Sequence, residues 1–265
     1  MKAVITGASS GIGAALAREL HAAGWQVTLV ARREAQLRAL AAELGSRCRV
    51  VVQDVSAGCE WIEREGEIDL LVNNAGIQTV GWFPESNAAA DARVLDVDLA
   101  APIALARRVA PRMVARRAGM IVNVSSVAAL TPPPGMAVYA AAKAGLGAFS
   151  EALATELEGS GVGVLTVYPG PIENGSPQEA YDVYGRQSVA GKMPSASAAA
   201  LARAMRRAIE RRKRRLIFPR FYMLTWWLSA FARWVVSRGT PKVRPAELPH
   251  PSPGLRPPSP AGRGE

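Results

Sequence analysis

Residues 6–13 are Thr6-Gly7-Ala8-Ser9-Ser10-Gly11-Ile12-Gly13, and they join a short apolar run to a helical pattern. The three glycines let the backbone turn sharply and approach a pyrophosphate closely. A helix that starts directly after such a turn presents unpaired N–H groups and the positive end of its dipole to the same anion. The stretch therefore predicts a strand, a turn and a helix that together bind the phosphates of a dinucleotide.

The same residues also fit the Gly-x-Ser-x-Gly pattern of hydrolases, in which Ser9 would be the nucleophile. That chemistry needs a histidine downstream of an acid. The chain has two histidines, His21 and His250, and the second lies in a proline-rich tail. Its two cysteines, Cys48 and Cys59, cannot form a disulfide framework or fill a zinc site alone. The composition therefore argues against Ser-His hydrolysis, and no metal site is predicted.

Outward from the turn, short apolar runs alternate with helical patterns. The predicted strands are Ala3–Thr6, Gln26–Val30, Val50–Val52, Leu70–Val72, Met120–Val124, Val162–Val167 and Leu216–Phe218. The predicted helices cover residues 12–23, 34–44, 88–117, 138–158 and 195–212. Continuously apolar strands that alternate with helices are typical of a parallel sheet covered on both faces. The sequence predicts an α/β fold, a Rossmann-like doubly wound sheet of about seven parallel strands in a single domain.

Four further motifs follow in order along these elements. Asn73-Asn74-Ala75-Gly76 ends the fourth strand, Ser126 follows the fifth, Tyr139 and Lys143 open the next helix, and Pro169-Gly170 follows the sixth strand. At these spacings the chain resembles the short-chain dehydrogenase/reductase family over residues 1 to about 218. The resemblance implies an oxidoreductase that interconverts a ketone or aldehyde and an alcohol with a nicotinamide cofactor.

Tyr139 and Lys143 are four residues apart, so both project from one face of a helix. A nearby ammonium favours a phenolate, and we expect Lys143 to lower the pKa of Tyr139 from its ordinary value of about 10. The resemblance implies that Tyr139 exchanges a proton with the substrate oxygen, that Ser126 holds this oxygen, and that Lys143 also binds the nicotinamide ribose.

Two positions depart from the family pattern. Asp98, within Asp96-Val97-Asp98-Leu99, stands where the family usually has the asparagine that is its fourth catalytic residue. Its charge is expected to raise the pKa of Lys143 and to change the proton relay. Asn174 stands where a threonine usually contacts the nicotinamide amide. Asp98 leaves an alternative open, namely a catalytically weak or idle cofactor-binding homologue that acts through a membrane or partner surface.

The end of the second strand distinguishes the two nicotinamide cofactors. An NAD-preferring protein places an acid there, but this chain has Val30-Ala31-Arg32-Arg33. A guanidinium can pair with a 2′-phosphate, although two solvated arginines at a helix start are the alternative. The sequence predicts NADP(H) as the preferred cofactor over NAD(H). The predicted cofactor-binding residues are Gly7, Ser9, Ser10, Gly11, Ile12, Gly13, Arg32, Arg33, Asp54, Val55, Asn74, Ala75, Gly76, Tyr139, Lys143, Pro169, Gly170 and Ile172.

The formal net charge is +10, but the basic residues are concentrated near the C-terminus. Residues 203–244 hold thirteen Lys and Arg against one acid, whereas residues 1–202 are slightly acidic, which argues against nucleic-acid binding. A basic run, Arg211–Arg215, precedes a segment rich in aromatic residues. The uncharged stretch between Arg220 and Arg233 is twelve residues long, short for a hydrocarbon core of about 30 Å.

An amphipathic helix is predicted over residues 219–238, and the sequence leaves three locations for it. It would lie on an anionic membrane surface through residues 211–236, span the bilayer, or pack over the substrate site or against a partner in a homodimer or homotetramer. Residues 171–193 have no clear period and predict a substrate lid. Residues 239–265 are proline-rich and predict a disordered tail. No signal peptide opens the chain, which predicts a cytoplasmic protein, free or peripheral on the inner face of a membrane.

Overall fold

The computed structural model describes residues 1–173 and 195–223, together with Trp226. The strands are β1 Lys2–Thr6, β2 Gln26–Ala31, β3 Cys48–Val52, β4 Leu70–Asn73, β5 Gly119–Val124, β6 Val162–Pro169, β7 Ile172–Glu173, β8 Ala196–Ser197 and β9 Arg215–Phe218. Seven of them form one parallel sheet in the order β3-β2-β1-β4-β5-β6-β9, which is the order of a doubly wound fold. The predicted fold class is confirmed, and the seven predicted strands agree with the observed ones to within two residues.

The helices cover both faces of this sheet. They are α1 Gly11–Ala22, α2 Glu34–Leu44, α3 Ala88–Leu95, α4 Ala101–Ala115, α5 Ala137–Glu156 and α6 Ala198–Glu210. Successive side chains of a buried strand point to opposite faces. Ala3 and Ile5 of β1 therefore join the core beneath α1, α2 and α6, whereas Val4 joins the core beneath α4 and α5. Both faces are buried, and the carboxyl edge of the sheet is left for the site.

The single helix predicted over residues 88–117 is divided by a π-helical segment, Asp96–Ala100. Ala101 donates its N–H to the carbonyl of Asp96, five residues earlier. Pro102 follows at once, and a proline has no N–H for the carbonyl four residues earlier, here that of Asp98, and would crowd it. The wider π turn accommodates the proline without ending the helix. Asp98 lies in this turn and is fully buried.

The chain after β9 folds back onto the end of β6. Tyr222 is fully buried and packs with Val127, Tyr168 and Ile217, and Trp226 lies against the same cluster. A Cβ on Gly170 would lie 2.5 Å from the Tyr222 ring, so glycine leaves the room that this ring occupies. Tyr222, near the beginning of the aromatic segment, is therefore part of the core.

The basic run 211–215 is in large part bound to the protein itself. Arg212 donates to the carbonyl of Gly161 at 2.7 Å. Arg215 pairs with Glu151 at 2.7 Å, and its guanidinium lies 3.6 Å from the ring centre of Trp226. In the described part of the chain, no helix is long and apolar enough to cross a membrane. Residues 174–193 of the predicted lid, most of the predicted helix 219–238, and the tail 239–265 lie outside the described residues.

Candidate active site

The glycine-rich turn lies at the carboxyl end of β1 and requires glycine at two positions. Gly7 has a φ of 67°, and a Cβ there would lie 2.8 Å from the Cα of Ala75. A Cβ on Gly13, in the first turn of α1, would overlap the carbonyl oxygen of Gly7. Ser10 is the N-cap residue of α1, but in the described part of the chain its side chain accepts no hydrogen bond from the first N–H groups of the helix. These groups are therefore available to a phosphate, and the turn fits a dinucleotide.

Thr6 fastens the turn to the end of β4. Its hydroxyl accepts the N–H groups of Asn74 and Ala75, both at 3.0 Å, and donates to the carbonyl of Val72 at 3.2 Å. Asn74 in turn donates its side-chain amide to the carbonyl of Thr6 at 2.9 Å. The motif 73–76 thus lies beside the glycine-rich turn, on the neighbouring strand.

Arg33 contacts the glycine-rich turn directly. Its Nε and Nη2 donate to the hydroxyl of Ser9 at 3.1 Å and 2.9 Å, and Nη2 also donates to Ser10. Arg32 points elsewhere, with its Nη1 at 3.8 Å from a carboxylate oxygen of Asp54. A guanidinium and two hydroxyls converge at the end of β2, which is a donor set suited to a phosphate monoester.

Asp54 follows β3 and is held by a residue that the sequence analysis missed. Arg93 of α3 donates to its Oδ2 at 2.6 Å, and Ser56 donates its N–H and its hydroxyl to Oδ1. Burial opposes ionisation, but the hydrogen bonds from Ser56 and Arg93 outweigh it and lower the pKa of Asp54 to about 2. Asp54 is therefore an anion at any physiological pH. The adjacent Val55 is buried in a small cluster with Ala75.

Ser126, Tyr139 and Lys143 meet where β5 ends and α5 begins. The side chain of Ser126 acts on the Tyr139 hydroxyl and lowers its pKa. Lys143 has its Nζ 5.8 Å from the centre of the Tyr139 ring and donates to the carbonyl of Val124 at 3.0 Å. Ser126 also accepts the N–H of Ala128 at 3.1 Å, which fixes its side chain. The three predicted catalytic residues therefore lie in one cluster.

Asp98 completes the cluster from the π-helical segment. Its Oδ2 lies 3.1 Å from Nζ of Lys143, and its Oδ1 accepts the N–H of Ile77 at 2.8 Å. A Cβ on Gly76 would lie 3.2 Å from both charged atoms, so the motif 73–76 passes directly over the pair. Burial raises the pKa of Asp98, although Lys143 and the Ile77 N–H oppose this. Burial disfavours the Lys143 ammonium, but the charges of Asp98 and Tyr139 outweigh it and raise the pKa of Lys143.

The prediction that the pKa of Tyr139 falls below its ordinary value was wrong. Burial has the largest effect on Tyr139 and raises its pKa. Lys143 lowers the pKa of Tyr139 as expected, and Ser126 lowers it too, but the Asp98 carboxylate raises it and the net shift is upward. The four-residue spacing indicates the nearby ammonium, but it reports neither the loss of solvent nor the charge of Asp98. The Tyr139 hydroxyl therefore keeps its proton at neutral pH.

A buried polar network that the sequence analysis also missed positions α5. Asn73 donates to Asn123 at 2.8 Å, Asn123 donates to Ser150 at 2.8 Å, and all three side chains are buried. Ser125 donates to the carbonyl of Lys143 at 2.7 Å. The sequence feature that could have indicated this network is the asparagine near the end of each of two otherwise apolar strands. The network links β4, β5 and α5, and so holds Lys143 against the carboxyl edge of the sheet.

The motif after β6 lies at the same edge. Gly170, which follows Pro169, donates its N–H to the carbonyl of Phe218 at 2.8 Å, and Ile172 is buried. Ile172 and its neighbour form a short parallel pair with Ala196–Ser197, which the sequence analysis did not predict. Asn174 lies outside the described residues.

Comparisons with known proteins agree with this site. A family profile described as short chain dehydrogenase matches residues 1–182. A short chain dehydrogenase of Pseudocercospora fijiensis is 36% identical over 205 residues, which are 72% of this chain and 66% of that protein. A solved short-chain dehydrogenase from Sphingobium yanoikuyae in complex with NADPH is 31% identical, with a TM-score of 0.75 over 93% of this chain and 98% of that one.

A second solved structure, the bulky-bulky ketone specific alcohol dehydrogenase from Comamonas testosteroni, is 28% identical, with a TM-score of 0.73 over 94% of this chain and 98% of that one. The matched profile contains the glycine-rich turn and the cluster of Ser126, Tyr139 and Lys143. The family expected from the motifs is therefore confirmed. The chain belongs to the short chain dehydrogenase family, and it is an oxidoreductase that acts on CH–OH and carbonyl groups.

Proposed function

We propose that this protein is an NADP(H)-dependent oxidoreductase that interconverts a ketone or aldehyde and an alcohol. The observation that supports this most strongly is the cluster in which Ser126, Tyr139 and Lys143 lie together at the carboxyl edge of the sheet. When bound, NADP(H) supplies or accepts the hydride. Tyr139 donates its hydroxyl proton to the carbonyl oxygen in reduction and accepts a proton from the alcohol in oxidation. Ser126 hydrogen-bonds to the same oxygen, and Lys143 stabilises the phenolate.

The glycine-rich turn would hold the pyrophosphate of the cofactor, and Arg33 would pair with its 2′-phosphate. Support for the phosphorylated cofactor comes from the hydrogen bonds of Arg33 to Ser9 and Ser10. These bonds preorganise the guanidinium at the end of β2, where the adenosine ribose is expected. The solved relative from Sphingobium yanoikuyae is itself in complex with NADPH. Arg32, which lies near Asp54, contributes less in this proposal.

Replacing Arg33 with Ala is expected to weaken NADPH binding about 10- to 100-fold, because a charge-assisted hydrogen bond to phosphate is worth about 1.5–3 kcal/mol. NADH lacks the 2′-phosphate, so its binding should change less than about threefold. Titration of each cofactor by nicotinamide fluorescence measures both constants. Arg38→Ala is the matched control, because Arg38 is an exposed arginine of α2, the helix that follows Arg33, and it pairs with Glu34. Equal weakening of both cofactors by Arg33→Ala would contradict the proposed role.

We propose an apolar, lipid-like carbonyl compound or alcohol as the substrate. Trp82 and Phe83 are 37% and 60% exposed and lie in the loop after Ile77, which itself contacts Asp98. The loop is joined to the segment before α5 by the bond from Gly81 N–H to the Gly135 carbonyl at 2.9 Å. The relative from Comamonas testosteroni is specific for bulky ketones, which supports a ketone as the substrate.

The experiment for the whole proposal is a panel of aliphatic, aromatic and steroid-like carbonyls, assayed by the loss of NADPH absorbance. Turnover by the wild type that greatly exceeds turnover by Tyr139→Phe supports the oxidoreductase. Equal, background rates across the panel would instead support the idle homologue, which the unusual Asp98 favours. In that case, retained NADPH binding would show that the cofactor site alone is functional.

For residues 211–236 we propose a peripheral contact with an anionic membrane. Phe221 and Met223 are 63% and 42% exposed beside the basic run, which supplies the apolar area and the charge that such a contact needs. Because Arg212 and Arg215 are bound internally, the attraction is expected to be weak and to fall with added salt. Flotation with phosphatidylserine vesicles, compared with neutral vesicles, measures it. A chain that stays unbound and elutes as a dimer or tetramer would favour a subunit contact instead.

A further inference from the structure

Asp98 and Lys143 form an ion pair that is almost completely removed from solvent. Their side chains are 0% and 4% exposed, and Oδ2 and Nζ are 3.1 Å apart. The remaining partners are backbone groups: Asp98 accepts the N–H of Ile77, and Lys143 donates to the carbonyl of Val124. The charge of Lys143 is therefore already balanced by a fixed carboxylate before Tyr139 ionises.

We propose that Asp98 is a positioning residue that neutralises Lys143 and thereby keeps the Tyr139 hydroxyl in its proton-donating form, which suits the site to carbonyl reduction. This inference rests on the proposed function. It assigns to Asp98 a role that an uncharged side chain at the same place would not have.

The effect of Asp98 on Tyr139 follows from the balance of charges in a buried site. With Asp98 ionised and Lys143 protonated, the cluster is neutral while Tyr139 keeps its proton. Loss of that proton leaves a net negative charge in a buried site, which is costly. If residue 98 were uncharged, the Lys143 ammonium would instead pair with the phenolate, and loss of the proton would give a neutral cluster. The carboxylate therefore opposes the phenolate that alcohol oxidation requires.

The charged groups on the neighbouring elements have other partners. On α3, Asp91 accepts from the hydroxyl of Ser86, and Arg93 pairs with Asp54. Asp96, in the same π-helical segment as Asp98, is exposed. Among the described residues, the charges that act on Tyr139 are thus those of Lys143 and Asp98.

The test is the pH profile of Asp98→Asn. An amide has the shape of the carboxylate and keeps one oxygen, which can accept from Ile77 or from Lys143, so it removes the charge with little change in packing. We expect the pH at which alcohol oxidation reaches half its maximum to fall by about one unit, and the alkaline limit of carbonyl reduction to fall equally. At a fixed pH below both midpoints, oxidation should rise about tenfold. Asp98→Ser should show the same direction of shift, and Asp96→Asn, on the exposed side of the segment, should show none.

A measurement without substrate separates this inference from the proposed function. The tyrosinate absorbance is measured for Asp98→Asn and for the double variant Asp98→Asn, Tyr139→Phe. The difference between the two isolates the titration of Tyr139 from that of the other four tyrosines. Its midpoint should lie about one pH unit below that of the same difference for the wild type. An unchanged or higher midpoint would overturn the role of Asp98, whether or not a substrate is found. A lower midpoint with no turnover on any carbonyl would overturn the proposed function alone.

Discussion

Tyr139→Phe is expected to lower kcat/KM for carbonyl reduction about a thousandfold and to leave NADPH binding within about twofold of the wild type. The variant keeps the ring that lies near Nζ of Lys143 but removes the hydroxyl that gives up the proton. Without this proton donor, the carbonyl oxygen must take its proton from water, and positioned acid catalysis of this kind contributes about 10²- to 10⁴-fold. Steady-state kinetics and nicotinamide fluorescence measure the two quantities.

Tyr168→Phe is the matched control for this prediction. It also removes one hydroxyl, but that hydroxyl donates to Glu151 on the far part of α5 and does not touch the cluster. Its activity should stay close to that of the wild type. A Tyr139→Phe variant that retains more than about a tenth of the wild-type activity would show that another group supplies the proton.

The parts of the site that the sequence predicted are those with local signals. The glycine-rich turn follows a strand and precedes a helix, and the four-residue spacing of Tyr139 and Lys143 puts both on one helical face. Parallel strands bring their carboxyl ends to one edge, so motifs that follow β1, β4, β5 and β6 had to meet there once the sheet order was correct. These inferences need no knowledge of side-chain contacts.

The parts of the site that the sequence could not predict depend on contacts between segments that are distant in the chain. The position of Asp98 suggested an effect on Lys143, but its complete burial follows from the π-helical segment and from the passage of Gly76 over the pair. The upward shift in the pKa of Tyr139 required the loss of solvent, which no spacing reports. The basic run at 211–215 suggested a free cationic surface, but Arg215 is engaged by Glu151, a residue 64 positions away.

Lys143→Met is expected to lower both activity and stability, because it removes one partner of the buried ion pair. The loss of the ammonium that stabilises the phenolate should reduce turnover by about a hundredfold or more. The Asp98 carboxylate would remain fully buried with the Ile77 N–H as its donor, and a buried charge without its partner costs about 3–5 kcal/mol of unfolding free energy. Urea unfolding at neutral pH measures this loss.

The combination of Lys143→Met with Asp98→Asn separates the two effects. The double variant has no buried charge in the cluster, so most of the lost stability should return while activity stays low.

The pH dependence of the single variant provides a second check. Burial raises the pKa of Asp98 even in the wild type, and without Lys143 the pKa should rise further. A carboxyl whose pKa is raised by folding stabilises the protein below its unfolded pKa of about 4, and this contribution is lost as the pH rises through the folded value. The stability deficit of Lys143→Met should therefore shrink as the pH falls toward about 4. A deficit that does not change with pH would show that Asp98 is not the charge that Lys143 compensates. A double variant as unstable as Lys143→Met would show the same.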